Sequence, residues 1–191
     1  ADLARGRITI VVATERAADR KKNSIESKLE ALKLTSATAM GTNALLSDSR
    51  GVRILGSLAK LITIDSGYEA AVAAALGSLA DAVVVQDMNA AVTAITALRN
   101  ESLGQAEILV SNNGVISGAE VPHGLKPLLN HVQGSEVSSL LASILGGVAI
   151  ADSAASAANI LSEHKDLTVV TRDGDIFTST RVRGGSNSSS S

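Results

Sequence analysis

The sequence predicts a mixed α+β fold in which two similar helix–strand–helix–strand subdomains follow a long N-terminal coiled-coil helix. Three observations lead to this prediction. Apolar residues recur at seven-residue intervals near the start of the chain. Short, wholly apolar runs, typical of strands that are buried on both faces, stand between amphipathic helices. The same order of elements then occurs a second time, which is expected of two related subdomains.

The composition narrows the possible functions. Of the 191 residues, 45% are hydrophobic and 19% charged, a balance that is typical of a globular domain. The chain has no cysteine, which excludes thiol nucleophiles and cysteine-ligated metals. Its two aromatic residues, Tyr68 and Phe177, are too few for a platform on which exposed bases stack. We therefore expect no metal or cofactor and, since no apolar run is long enough to cross a membrane, a cytoplasmic protein.

Residues 3–34 are predicted to form one helix with a narrow apolar stripe. A stripe of this kind is stable only when a second helix covers it. Because residues 187–191 have the composition of a flexible tail, we expect the partner helix to be missing and the chain to be a fragment. We assign residues 1–40 to a coiled-coil arm stub. The apolar stripe consists of Ile8, Val11, Ala18, Ile25, Leu29 and Leu32.

The first subdomain is expected over residues 41–112, beginning within a loop at 35–50. Ser66 and Glu69 have the spacing of a capping box, in which two side chains satisfy free N–H groups at a helix start. Asp87 is predicted to cap the following helix. That helix is expected over 88–99, with Ala91, Ile95 and Leu98 on its buried face. The predicted strands lie within 52–64 and at 83–85 and 106–110.

The second subdomain is expected over residues 113–186 and repeats this order. Ser135 and Asp152 are predicted to cap its two helices. Asp152 follows a short apolar strand just as Asp87 does, which makes the two halves alike. Asp173-Gly174 predicts a tight turn between the last two strands. The remaining predicted elements are strands at 148–150, 167–171 and 176–177 and a helix over 153–163.

The charges are unevenly distributed along the chain. Residues 1–60 have a net charge of +5 (11 basic, 6 acidic), and residues 61–180 have −9 (4 basic, 13 acidic). Arg181 and Arg183 add +2 at the end, which gives −2 for the whole chain. If the two basic ends lie together, they form a patch that could hold phosphates. An ordinary solvated lysine face is the alternative.

Motifs for nucleotide or hydrolase chemistry are absent from the sequence. It contains no P-loop, no dinucleotide-binding glycine pattern and no nucleophile elbow. The acidic pairs Asp65/Glu69 and Asp173/Asp175 lie at a helix start and in a turn, where carboxylates commonly have structural roles. The sequence therefore favours a module that is not an enzyme. A small-molecule-binding α/β domain or enzyme remains the alternative.

Four blocks of the sequence resemble the hinge domain of SMC (structural maintenance of chromosomes) proteins. The blocks stand in the order of the family, cover about residues 42–186, and are bacterial in style. The N-terminal helix resembles the stub of the outgoing arm. The blocks are GVRILGSLAKLI at 51–62, the segment at 67–85 with Tyr68-Glu69 and Val83-Val84-Val85, the hairpin at 169–175, and the closing Gly184-Gly185-Ser186.

The resemblance implies a homodimerisation module. In SMC proteins one arm runs out to the hinge, a second returns to an ATPase head, and two hinges pair. The resemblance therefore implies a nucleoid-associated, cytoplasmic ATPase of chromosome condensation and segregation. The ATP-binding head and the sites for other subunits of the complex would lie outside this chain.

The resemblance also implies where the dimer contact lies. The family usually carries two glycine pairs in the closing segment, and Gly184-Gly185 matches the second of them. Thr180-Arg181 stands where the first pair is expected, which implies an altered or weaker contact. The implied interface is Thr180, Arg181, Val182, Arg183, Gly184 and Gly185.

A sequence-independent contact to DNA near the arm junction is a further expectation. Hinges of this family can touch DNA, and the basic ends of this chain offer the charge that phosphates require. The Gly-Arg-Ala of the family pattern is Gly104-Gln105-Ala106 here, which removes one such charge. The candidate DNA-binding residues are Lys28, Lys33, Arg50, Arg53, Lys60, Arg181 and Arg183.

Overall fold

The computed structural model describes residues 2–47, 51–112 and 120–185. In these parts of the chain the α-helices are α1 (Asp2–Ser47), α2 (Leu58–Leu61), α3 (Glu69–Leu76), α4 (Met88–Asn100), α5 (Ser138–Leu145) and α6 (Ala154–Glu163). The strands are β1 (Ile54–Ser57), β2 (Thr63–Ile64), β3 (Val83–Val85), β4 (Ile108–Val110), β5 (Lys126–Pro127), β6 (Val132–Gln133), β7 (Val148–Ala151), β8 (Thr168–Thr171), β9 (Ile176–Phe177) and β10 (Val182–Arg183). Short 3₁₀ segments lie at Gly77–Asp81, Leu128–His131 and Ser135–Val137.

Two sheets with matching crossover helices form the body of the molecule. A three-stranded sheet has the order β1-β3-β4, with β3 and β4 parallel. A five-stranded sheet has the order β10-β9-β8-β7-β5, with β7 and β8 parallel. Helix α4 connects the first parallel pair and α6 the second, so each half contains helix–strand–helix–strand, and the predicted fold class is confirmed. Strands β2 and β6, one from each half, pair and join the halves.

Helix α1 is longer than the sequence suggested. The loop predicted at 35–50 is wrong over residues 35–47, which continue the helix. Tertiary packing accounts for the difference, because Leu45 is buried in a cluster with Val52 and Val83. Residues 19–30 are exposed, among them Ile25 and Leu29 of the predicted apolar stripe. In the described residues, no helix combines the length and apolar content that a membrane crossing requires.

The first half confirms the strand and the cap predicted around residue 85. All three residues of β3 are buried, and the Asp87 carboxylate accepts a hydrogen bond of 2.9 Å from the Ala90 N–H. The predicted buried face of α4 is partly wrong, since Ile95 is 43% exposed. Ala94 is fully buried in its place, because this smaller side chain lets the helix approach the sheet.

The capping box predicted at Ser66 and Glu69 forms differently. Helix α3 has Tyr68 at its N-cap position, and the Glu69 carboxylate accepts from the Gly67 N–H at 2.8 Å. The Tyr68 N–H bonds the Asp65 carbonyl, closing a turn immediately before the helix. This turn moves the helix start beyond Ser66.

Both caps predicted for the second half are wrong. Ser135 begins a 3₁₀ segment, and α5 starts only at Ser138. At α6 the cap is Ser153, whose hydroxyl accepts from the Ser156 N–H at 3.1 Å. The Asp152 carboxylate instead lies 3.3 Å from the Lys126 ammonium group. It therefore pairs with a residue distant in sequence and does not cap α6.

The largest buried cluster draws side chains from both halves of the chain. Helix α3 of the first half packs against α5, β8 and β9 of the second. The halves are therefore joined by a continuous apolar core in addition to the β2–β6 pair. The buried members include Leu58, Val72, Leu76 and Val84 from the first half and Leu128, Leu141, Leu145 and Val170 from the second.

Candidate dimer edge and basic surface

The implied dimer residues lie in a hairpin that ends the described chain, residues 176–185, which we call the closing hairpin. Strands β9 and β10 pair antiparallel, with Val182 opposite Phe177 and Arg183 opposite Ile176. The Thr178 N–H donates to the Arg181 carbonyl at 2.8 Å, and the Arg181 N–H donates to the Thr178 hydroxyl at 3.0 Å. These bonds fix the turn between the two strands.

Strand β10 forms the outer edge of the five-stranded sheet. Within the described chain its strand partner is β9, so its outer backbone edge is open. Val182 lies on this edge and is 65% exposed. An open edge with an exposed β-branched side chain is a template on which another strand can pair.

Thr180 and Arg181 lie in the turn and not in a strand. Both are exposed, and β10 begins one residue later at Val182. The hydrogen bonds between Thr178 and Arg181 close the chain into a turn at this point. The two side chains therefore stand at the tip of the closing hairpin.

Two contacts tie the end of the closing hairpin to the body. The Arg183 guanidinium donates to the Ala74 carbonyl of α3 at 3.2 Å. The Gly185 N–H donates to the Asp175 carboxylate at 3.0 Å. Asp175 was considered in the sequence only as half of an acidic pair, and its spacing to Gly185 carries no signal that would reveal this bond.

The candidate DNA-binding residues of the first half occupy separate elements. The Arg53 guanidinium donates to the Gln86 side-chain oxygen at 2.9 Å and borders a polar cavity of about 600 Å³. Lys60 lies in the last turn of α2 and lines a groove of about 680 Å³ beside α1, together with Asp81 and Glu107. Lys28 is exposed on α1. Arg50 and the side chain of Lys33 lie outside the described residues.

A polar cluster between the two halves was not found by sequence reasoning. The His131 ring nitrogen Nδ1 lies 3.0 Å from the Asp65 carboxylate, and the ring stacks on Tyr68 at a centroid distance of 3.7 Å. The Arg172 guanidinium donates to the Tyr68 hydroxyl at 2.9 Å. These residues are up to 107 positions apart, so local spacing could not indicate the cluster.

The architecture is that of a two-subdomain hinge with a long helix leading into it. The chain belongs to the SMC hinge family, since the family model for the flexible hinge domain of SMC proteins matches residues 51–161. The resemblance seen in the sequence is thereby confirmed.

Mycobacterial relatives match almost the whole chain. It is 36% identical over 187 residues to the chromosome partition protein Smc of Mycolicibacterium paratuberculosis, covering 96% of this chain and 16% of that protein. The protein of the same name from Mycobacterium tuberculosis is 32% identical, with the same coverage. The chain thus spans about a sixth of the length of these relatives.

Solved hinge structures share the fold. The hinge of Pyrococcus furiosus SMC is 28% identical with a TM-score of 0.63, covering 72% of this chain and 75% of that one. The asymmetric dimer of the Geobacillus stearothermophilus SMC hinge has a TM-score of 0.70 at 23% identity, covering 91% of this chain and 77% of that one. The latter likeness concerns the fold alone.

Proposed function

We propose that this chain is the homodimerisation hinge of a chromosome-partition SMC protein. In that protein two hinges pair and join two coiled-coil arms. Membership of the hinge family favours this function over the alternative of a small-molecule-binding domain or enzyme. The relatives' role in chromosome partition suggests a nucleoid-associated cytoplasmic protein whose ATPase head and sites for other subunits lie outside this chain.

The open edge of β10 is the observation that carries the proposal. A strand from a second copy could pair there through backbone hydrogen bonds, with Val182 packed against it. The proposed surface comprises the six residues from Thr180 to Gly185. The turn at Thr180-Arg181 limits the length of strand that can pair, which is consistent with a contact weaker than a two-glycine-pair hinge would make.

Solution mass measured across concentration tests this proposal. Light scattering after size exclusion should report a dimer whose fraction rises with concentration. Val182→Lys should weaken it at least about tenfold, because lysine on an edge strand opposes pairing. Val92→Lys is the matched control, since Val92 is 60% exposed on α4. A wild-type chain that stays monomeric at tens of micromolar, or a Val182→Lys variant that dimerises normally, would contradict the proposal.

We also propose an auxiliary, sequence-independent contact to DNA. Its supports are the basic side chains that are exposed: Lys28, Arg53, Lys60, Arg181 and Arg183. Lys33 and Arg50 remain candidates by charge alone. Lys60 is the weakest of the set, because Asp81 and Glu107 line the same groove and repel phosphate.

Salt dependence tests the DNA contact. Anisotropy of a labelled duplex of mixed sequence should show affinity falling steeply with salt. If Arg181 and Arg183 each meet a phosphate, their replacement by glutamate should weaken binding and reduce the salt slope by about 1 per lost contact. Arg99→Glu combined with Lys165→Glu, at two other exposed positions, serves as the charge-matched control. Unchanged affinity in the double variant would remove both arginines from the site.

A further inference from the structure

We infer that Asp175 is the positioning residue that holds the closing hairpin in register, and that Gly184 is a glycine because the Asp175 carboxylate fills the space beside it. The inference rests on the proposed function for its link to dimerisation. It concerns contacts within one chain, so it can be tested separately from that function.

The Asp175 carboxylate connects the last residue of the closing hairpin to the end of strand β8. One oxygen, Oδ1, accepts from the Gly185 N–H at 3.0 Å. The other, Oδ2, accepts from the Thr171 hydroxyl at 3.2 Å, and that hydroxyl in turn accepts from the Asp175 N–H at 3.1 Å. Thr171 is buried at the end of β8, so the carboxylate is held against a fixed part of the sheet.

Gly184 lies directly over this carboxylate. A Cβ built on Gly184 would overlap the Oδ1 atom of Asp175. The overlap cannot be relieved by moving a free side-chain end, because the two hydrogen bonds of the carboxylate fix its position. A requirement for glycine at 184 therefore already exists inside the chain, independent of any partner.

Gly185 needs to be glycine for a different reason. Its φ is +116°, which side chains rarely adopt, and within the described part of the chain a Cβ there would meet no atom within 4 Å. Among the described residues, the space that a side chain would occupy at Gly185 is thus open, whereas at Gly184 the Asp175 carboxylate occupies it. The two glycines of the pair therefore have separate roles: Gly184 admits the Asp175 carboxylate, and Gly185 adopts a positive φ.

The bond between the Asp175 carboxylate and the Gly185 N–H, which we call the latch, has a consequence for dimerisation. Strand β10 is two residues long and is otherwise held by its pairing with β9 and the bond of Arg183 to Ala74. Without the Asp175 bond, residues 182–185 would sample other conformations, and the open edge would have to be ordered before a partner strand could pair. Loss of the latch should weaken the dimer without unfolding the core.

Hydrogen exchange and solution mass together test the inference. Asp175→Ala should raise amide exchange in residues 182–185 about tenfold, the effect of losing one charged hydrogen bond, and weaken the dimer by a similar factor. Asp175→Asn should change amide exchange and dimer affinity less than Asp175→Ala does, because its amide oxygen can still accept from the Gly185 N–H. Asp173→Ala, at an exposed position in the same turn, should change neither.

A double-mutant cycle with Gly184 distinguishes the latch from a partner contact. Gly184→Ala alone should loosen the segment as Asp175→Ala does. The double variant should lose less than the sum of the two single effects, because the carboxylate is then gone and only the Cβ at position 175, at 2.9 Å, stays close to the new methyl group. Additive effects would overturn the inference, as would unchanged exchange in Asp175→Ala. Faster exchange with an unchanged dimer would keep the latch but contradict the proposed dimer surface.

Discussion

A short polar side chain lies between strand β3 and the helix that follows it, and another lies between β7 and its helix. Asp87 accepts from the Ala90 N–H, and Ser153 accepts from the Ser156 N–H, each three residues ahead. Both bonds satisfy one of the N–H groups that a helix start leaves free. In both halves the capping residue lies two positions after the last residue of the strand, so the two helices begin in the same way.

The cap at Ser153 predicts a difference between neighbouring substitutions. Ser153→Ala should lower the free energy of unfolding by about 1 kcal/mol, because it leaves the Ser156 N–H without its acceptor. Asp152→Ala should cost about 0.5 kcal/mol or less, since its ion pair with Lys126 is solvent-exposed. Urea denaturation of the two variants measures both. A larger effect at Asp152 would show that Asp152 is the cap after all.

At the scale of single residues, the sequence predicts contacts between residues that are close together in the chain. The cap at Asp87 follows from its spacing to the helix, and it is confirmed. Asp152 has the same spacing to its predicted helix as Asp87 has. Its carboxylate nevertheless binds Lys126, 26 residues away in sequence, and the adjacent Ser153 caps the helix. The Asp175 bond to Gly185 is likewise a tertiary contact, and no local pattern announces it.

Among the elements, helix α1 combines an exposed middle with an end that packs into the core. Its middle residues, 19–30, are exposed, while Leu45 near its end is buried. Between them Gly41 faces the backbone of Gln105, and the Gln105 N–H donates to the Ala37 carbonyl at 2.9 Å. The Gly104-Gln105 segment is thus a docking point for α1.

Gly41 should therefore resist substitution although it lies in a helix. Alanine there gains about 1 kcal/mol of helix propensity, but its Cβ would overlap the Gln105 carbonyl, which is backbone and cannot move aside. We expect Gly41→Ala to destabilise the chain by about 1–3 kcal/mol in urea denaturation. Met40→Ala, at the exposed neighbouring position, should change stability by about 0.5 kcal/mol or less. A stabilised Gly41→Ala variant would show that α1 does not dock closely.

The elements themselves were largely predictable, because hydrophobic periodicity marks buried strands and amphipathic helices. The end of α1 was not, since Thr35, Ser36 and Thr38 have low helix propensity and packing against the body overrides it. The face of α4 was also misjudged at Ile95, because periodicity leaves its orientation uncertain by about one residue. Neither hydrophobic periodicity nor helix propensity indicates contacts with a second copy of the chain.

On the scale of the whole molecule, the two halves are not independent units. The same apolar cluster contains Val72 of α3 and Leu128 of the second half, and the polar cluster of Asp65, Tyr68, His131 and Arg172 bridges them at the surface. Packed side chains therefore connect the two halves into one body.

The shared core predicts that both halves unfold in one transition. Leu128 is fully buried, so Leu128→Ala should lower the free energy of unfolding by about 2–5 kcal/mol. Hydrogen exchange under native conditions should then accelerate equally in β3 and β8, although the substitution lies only in the second half. Leu29→Ala, on the exposed part of α1, is the control and should change neither. Protein concentration is held fixed, since dimerisation would itself shift stability. Acceleration confined to β8 would show two separately unfolding subdomains and would contradict the single core.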